Sequence, residues 1–250
     1  MKDNIIMKVE GLTKKYGAIA AVDDVSFDLH EGELLGLIGP NGSGKTTLVN
    51  LISGFVKPDN GRVTFKGHDI TGKPAYQIAN MGIARTFQMV KPFYHLPAFK
   101  NIIVPLYSPR VRRLRGGKYG ERDAVALDLL EEVGFERDSS IPYKIAGALP
   151  HGYLKRMELA RCMALEPEII IFDELFSGMS MSEVASTMPI IEKLIDEGKT
   201  MIVVEHRLKE LFRIAHNVLV LNLGKRIAYG PPKEIMNSDA VKKAYLGSED

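Results

Sequence analysis

Gly39-Pro40-Asn41-Gly42-Ser43-Gly44-Lys45-Thr46 is the stretch that decides the fold. It fits the pattern Gly-x4-Gly-Lys-Ser/Thr of a phosphate loop. The chemistry explains the residue types. Glycines let backbone N–H groups turn inward around phosphate oxygens, and the N-terminus of a following helix adds the positive end of its dipole. Lys45 is expected to reach the β- and γ-phosphates, and the Thr46 hydroxyl to ligate Mg²⁺, with Thr47 next to it. A glycine-rich turn can precede a helix without binding anything. Here the flanks are also right. Leu34–Ile38 reads as a buried strand, and a helix is predicted from Lys45 to about Ser53.

A second stretch supplies the acids that such a loop needs. Ile169–Phe172 is an apolar strand that runs into Asp173-Glu174. An acidic residue at the end of a buried strand can hold the Mg²⁺ shell, and the next carboxylate can polarise a water for attack. No Asn-Lys-x-Asp motif for reading guanine is present in the chain. Met201–Val204 is a further apolar strand, and Ser182–Asp196 is long enough to be the crossover helix before it. Strand, helix, strand at this spacing predicts a parallel sheet.

Outward from these motifs, Val25, Phe27 and Leu29 alternate with polar residues as in a half-buried strand. Arg62–Phe65 reads as a strand after the turn signal Pro58-Asp59-Asn60-Gly61. Val218–Asn222 and Lys225–Tyr229 flank Leu223-Gly224 as a hairpin. The middle differs: Asp123–Val133 and Tyr153–Leu165 are helix candidates, and no strand is predicted between Lys100 and Glu168. This predicts a helical insertion in an α/β core. Before it lies a basic connector with Arg110, Arg112, Arg113, Arg115 and Lys118 beside Gly116-Gly117. It reads first as a solvated, mobile loop, and alternatively as a contact for an acidic partner or lipid head groups.

Composition limits the function classes. With 33 Lys+Arg against 31 Asp+Glu, the net charge of +2 makes no electrostatic case for nucleic acid. Cys162 is the only cysteine among 250 residues, so no intrachain disulfide forms, and a reducing compartment is expected. The N-terminus MKDNIIMKVE has no apolar signal core. The apolar runs fall far short of the roughly 20 residues that span a bilayer, so any membrane role is expected to be peripheral.

With both motifs placed, the chain resembles the ATP-binding subunits of ABC transporters over nearly its whole length. The likeness rests on GPNGSGKTT (Gly39–Thr47), RTFQ (Arg85–Gln88), LPHGYLKRMELAR (Leu149–Arg161), IIIFDE (Ile169–Glu174) and VVEHR (Val203–Arg207). It implies an α/β P-loop NTPase (RecA-like) core with an N-terminal antiparallel β subdomain and an inserted α-helical subdomain. Residues 1–92 and 165–250 would form the core, and 93–164 the helical subdomain that carries the signature. It implies ATP and Mg²⁺ as cofactors. Tyr16 would stack on adenine, and Gly39, Asn41, Gly42, Ser43, Gly44, Lys45, Thr46 and Thr47 would wrap the phosphates. Thr46, Gln88 and Asp173 would serve the metal, Glu174 would be the general base, and His206 would bond the γ-phosphate.

The family's sites are composite. Each ATP lies between one cassette's phosphate loop and the partner cassette's signature helix, which implies a homo- or heterodimer. The usual signature, Leu-Ser-Gly-Gly-Gln, reads here Leu149, Pro150, His151, Gly152, Tyr153. A serine hydroxyl is lost, a bond worth about 1–3 kcal/mol if charge-assisted. The N–H groups of His151, Gly152 and Tyr153 are expected to remain available to an anion. Leu175 stands where proline is usual, and Ser180 where aspartate is usual. The resemblance also implies membrane permease subunits and an external solute-binding protein as partners, no nucleic acid, and a peripheral place on the cytoplasmic membrane face. The long stretch before the signature and the ending AYLG (Ala244–Gly247) resemble the branched-chain amino acid importer ATPases. Urea import, lipopolysaccharide export, or a regulatory subunit with weak hydrolysis stand as alternatives. A DNA-acting member is disfavoured, because only about 60 residues separate Gln88 from Leu149, too few for long coiled coils.

Overall fold

The Leu34–Ile38 run is a strand along its whole predicted length, and all five of its residues are buried. Strands covered on both faces read in this way as continuous apolar runs. The computed structural model describes residues 4–87, 89–115 and 121–246. In chain order the elements are β1 (Ile5–Tyr16), β2 (Ile19–His30), β3 (Leu34–Ile38), α1 (Lys45–Ile52), β4 (Asn60–Phe65), β5 (His68–Asp69), α2 (Ala75–Met81), β6 (Ile83–Arg85), α3 (Ala98–Leu106), α4 (Pro109–Leu114), α5 (Arg122–Glu132), α6 (His151–Met163), β7 (Ile169–Asp173), α7 (Met181–Asp196), β8 (Thr200–Val204), α8 (Leu208–Ile214), β9 (Asn217–Asn222), β10 (Lys225–Gly230), α9 (Pro232–Asn237) and α10 (Asp239–Leu246). They fall into two compact units, residues 1–78 with 198–250, and residues 79–197.

The first unit contains an antiparallel sheet in the order β2-β1-β4-β5. Val9 of β1 sits opposite Phe27 on one side and Val63 on the other, so one face of the sheet is apolar. Val22, Val25, Phe27 and Leu29 are all buried, as their alternation predicts. β3 pairs in parallel with both β8 and β9. β9 turns back into β10 through Leu223-Gly224, both at positive φ. That conformation suits a two-residue hairpin.

The second unit holds the parallel pair β6–β7, with Ile83 opposite Ile169. Helices α3, α5 and α6 pack on one another. Ile102, Leu106, Leu130 and Met157 are buried within this unit. Among the described residues no strand lies between Lys100 and Glu168, as expected. Helices α3 and α4 went unpredicted, and α4 overturns the loop reading of the basic connector. Ser108 caps α4 by accepting from Val111 N–H, and Pro109 starts its first turn. Arg110 is buried rather than solvated. Its guanidinium donates to the carbonyls of Met81 (2.9 Å), Leu165 (3.1 Å) and Glu166 (2.7 Å). It also pairs with Glu168 at 3.3 Å. Arg113 donates to the Asn80 carbonyl, and Arg115 pairs with Glu166. Gly116, Gly117 and Lys118 of the same stretch lie outside the described residues.

Candidate active site

The first unit carries the phosphate loop. β3 delivers the chain to Gly39, and Gly44 is the N-cap of α1 at φ 105°. A side chain at Gly44 would be strained at that φ, and its Cβ would lie 2.2 Å from the Ala21 carbonyl. The hairpin turn between β9 and β10 braces the loop, with Gly224 N–H donating to the Ser43 carbonyl at 3.0 Å.

Lys45 is buried despite its charge. Its Nζ is held over the loop by the carbonyls of Gly39 (2.7 Å) and Pro40 (3.0 Å). α1 has no acidic residue in its first turn and no side-chain cap, so the positive end of its dipole is not offset locally. Ser43 Oγ is buried without a hydrogen-bond partner. An orphaned hydroxyl, a buried ammonium and an uncapped helix start are what a polyphosphate would satisfy. Asn41, Gly42 and Thr46 are exposed, and Thr47 is half-buried. Tyr16, at the end of β1, is half-exposed, with Lys14 Nζ 5.7 Å from its ring centre. His206 lies between β8 and α8, exposed, directly after the buried Glu205.

The second unit carries the acids. Asp173 closes β7 and is buried. Its Oδ2 accepts from Arg85 Nη2 at 2.6 Å, and its N–H donates to Thr86 Oγ1 at 3.2 Å. One carboxylate oxygen is therefore committed to a protein cation. Glu174 adopts φ 55°, the left-handed region that a non-glycine residue rarely enters. Its carbonyl accepts from Nζ of the buried Lys155 at 3.1 Å. The lysine thus braces the backbone at this left-handed residue. Gln88 lies outside the described residues.

Sequence reasoning missed Arg85 and Lys155. Arg85 stands three residues before Gln88, and Lys155 lies in the signature helix, but nothing in the sequence marks the lysine's burial. Their partners, however, lie far off in the chain. Among the described residues no cluster of three His, Cys, Asp or Glu side chains could hold a metal alone. Oxygen donors completed by a substrate's phosphates are the usual setting for Mg²⁺.

The signature segment begins α6. Pro150 is its N-cap, at φ −56° and ψ 153°, and provides no side-chain cap. His151 Nε2 lies 3.2 Å from the Ser177 carbonyl oxygen, and Gly152 N–H donates to Glu183 Oε1 at 3.2 Å. The expectation that all three leading N–H groups stay available is therefore corrected: that of Gly152 is engaged. Ser180 is the N-cap of α7 and forms a capping box with Glu183. Leu175, at the position where the resemblance makes proline usual, is buried.

Residues 22–177 match the family model described as ABC transporter, and residues 225–250 match that of the branched-chain amino acid ATP-binding cassette transporter. The high-affinity branched-chain amino acid transport ATP-binding protein BraF of Pseudomonas aeruginosa is 34% identical, over 97% of this chain and 98% of its own length. The ADP conformation of MJ1267, an ATP-binding cassette of an ABC transporter, superposes with a TM-score of 0.85. That pair is 30% identical, over 98% of this chain and 99% of the other. The dimeric cassette MJ0796 bound to ADP and Pi gives a TM-score of 0.79 at 27% identity, over 90% and 98% of the two chains.

Proposed function

This chain belongs to the ABC transporter family, and on that premise we propose that it hydrolyses ATP to drive import of branched-chain amino acids through a membrane permease. The observation that carries the ATPase reading is the phosphate loop, with Lys45 buried over it and Ser43 Oγ left for a ligand. The C-terminal match at residues 225–250 and the likeness to BraF support the choice of substrate class.

Each residue then has a task. Tyr16 stacks on adenine. The N–H groups from Gly39 to Thr47 and the Lys45 ammonium hold the phosphates. Thr46, Gln88 and Asp173 are the residues that would hold Mg²⁺, which would supply charge neutralisation to the phosphates. Glu174 takes a proton from the attacking water, and His206 steadies the γ-phosphate. Pro150, His151 and Gly152 face the ATP of a partner cassette, as in a head-to-tail dimer.

The permease would dock on the helical subdomain, residues 93–164. Tyr94, Leu96, Tyr143 and Ile145 are exposed there. They lie together, because Ala146 N–H donates to the Leu96 carbonyl and Gly147 N–H to that of Tyr94. Exposed apolar groups gathered in this way mark interaction surfaces. The cytoplasmic membrane face and an external solute-binding protein belong to the same proposal. The test is transport: vesicles holding the chain with its permease should take up leucine when ATP is supplied. Uptake of urea, or lipopolysaccharide extraction, with leucine ignored would overturn the substrate assignment.

A further inference from the structure

Helix α6 starts without the help of a side chain, since Pro150 has no hydroxyl to offer. An acceptor comes instead from 31 residues downstream. Glu183 Oε1 takes the Gly152 N–H at 3.2 Å, and Oε2 takes the Ser180 N–H and hydroxyl, each at 2.8 Å. One carboxylate thus bridges the first turn of α6 and the cap of α7. The approach depends on glycine, because a Cβ at residue 152 would lie 2.5 Å from Oε1. His151 adds a parallel link to the carbonyl of Ser177, in the same loop. The hydrogen bonds from the Ser180 N–H and hydroxyl hold the Glu183 carboxyl below its usual range, so it stays an anion.

We propose that Glu183 is an internal anion standing at the signature helix, one that must yield the Gly152 N–H before a partner cassette's ATP can engage it. This rests on the reading above that Pro150–Gly152 meet the partner's γ-phosphate. An anionic side chain already satisfies the positive helix end and repels a second anion brought to it. Closure of the assembly then requires the Glu183 side chain to move off Gly152. That movement reaches Ser180, which Glu183 holds at the start of α7, so nucleotide arrival is relayed there. Glu183 is therefore a positioning residue that sets the ATP concentration at which the assembly closes.

Glu183→Gln is the test, because glutamine also serves in a capping box and α7 keeps its start. In the transporter assembled with its permease and partner ATPase, the KM for ATP should fall about three- to tenfold while kcat stays within about twofold. An unchanged or raised KM overturns the proposal. A second measurement separates it from the reading beneath it. In a His151→Cys assembly, ATP should slow maleimide labelling of residue 151. Buried Cys162, whose thiol is pushed up by desolvation, stays unlabelled. If ATP leaves labelling unchanged, the signature does not meet nucleotide, and both ideas fall. If ATP slows labelling and Glu183→Gln leaves KM unmoved, the Glu183 proposal alone falls.

Discussion

At the scale of single residues, two charged groups occupy positions that need an explanation. Lys45 is buried with its ammonium on two loop carbonyls, and Glu174 sits at φ 55°. Burying a cation costs stability unless it is paired, and a left-handed glutamate costs roughly 1–3 kcal/mol. Both make sense as preparation for a triphosphate and a water. Lys45→Ala should therefore abolish ATP binding by calorimetry, and unchanged affinity would contradict the phosphate-loop reading. These residues were legible in the sequence because their chemistry is local: Gly39–Thr46 and Asp173-Glu174 are contiguous motifs. Arg85 and Lys155 were not. Their roles arise from partners 88 and 19 residues away, which spacing alone does not reveal.

At the scale of elements, β3, α1 and β7 follow from apolar runs that stop at glycines or acids, and the sequence boundaries nearly match those found. α4 shows the opposite case. Its six residues include three arginines, a pattern that reads as solvated. Tertiary context decides otherwise, because the Arg110 fork gathers three carbonyls and a carboxylate around Gly82. Arg110→Ala leaves those acceptors without their donor. It should destabilise the chain by about 2–4 kcal/mol in urea unfolding. A loss below about 0.5 kcal/mol would return the residue to the solvated role that the sequence first implied. The capping box of α7 is a gentler case. Ser180 and Glu183 stand in view three residues apart, but the carboxylate's reach to Gly152 is a product of folding.

At the scale of the molecule, the chain is one cassette of the ABC transporter family. The solved MJ0796 cassette, similar over 90% of this chain, is a dimer holding ADP and Pi. If Pro150–Gly152 meet a partner's ATP, as proposed, a change in the signature segment is felt there. Pro150→Ser should leave ATP affinity of the isolated chain unchanged and alter turnover only in the assembled transporter. An altered affinity in the isolated chain would place residue 150 at its own nucleotide. The central claim, that this chain hydrolyses ATP with Glu174 as base, meets its most direct test in the steady-state ATPase of the assembled Glu174→Gln transporter. Turnover should fall by about 10²–10⁴ with ATP affinity intact, whereas turnover at the level of the unmodified protein would contradict it.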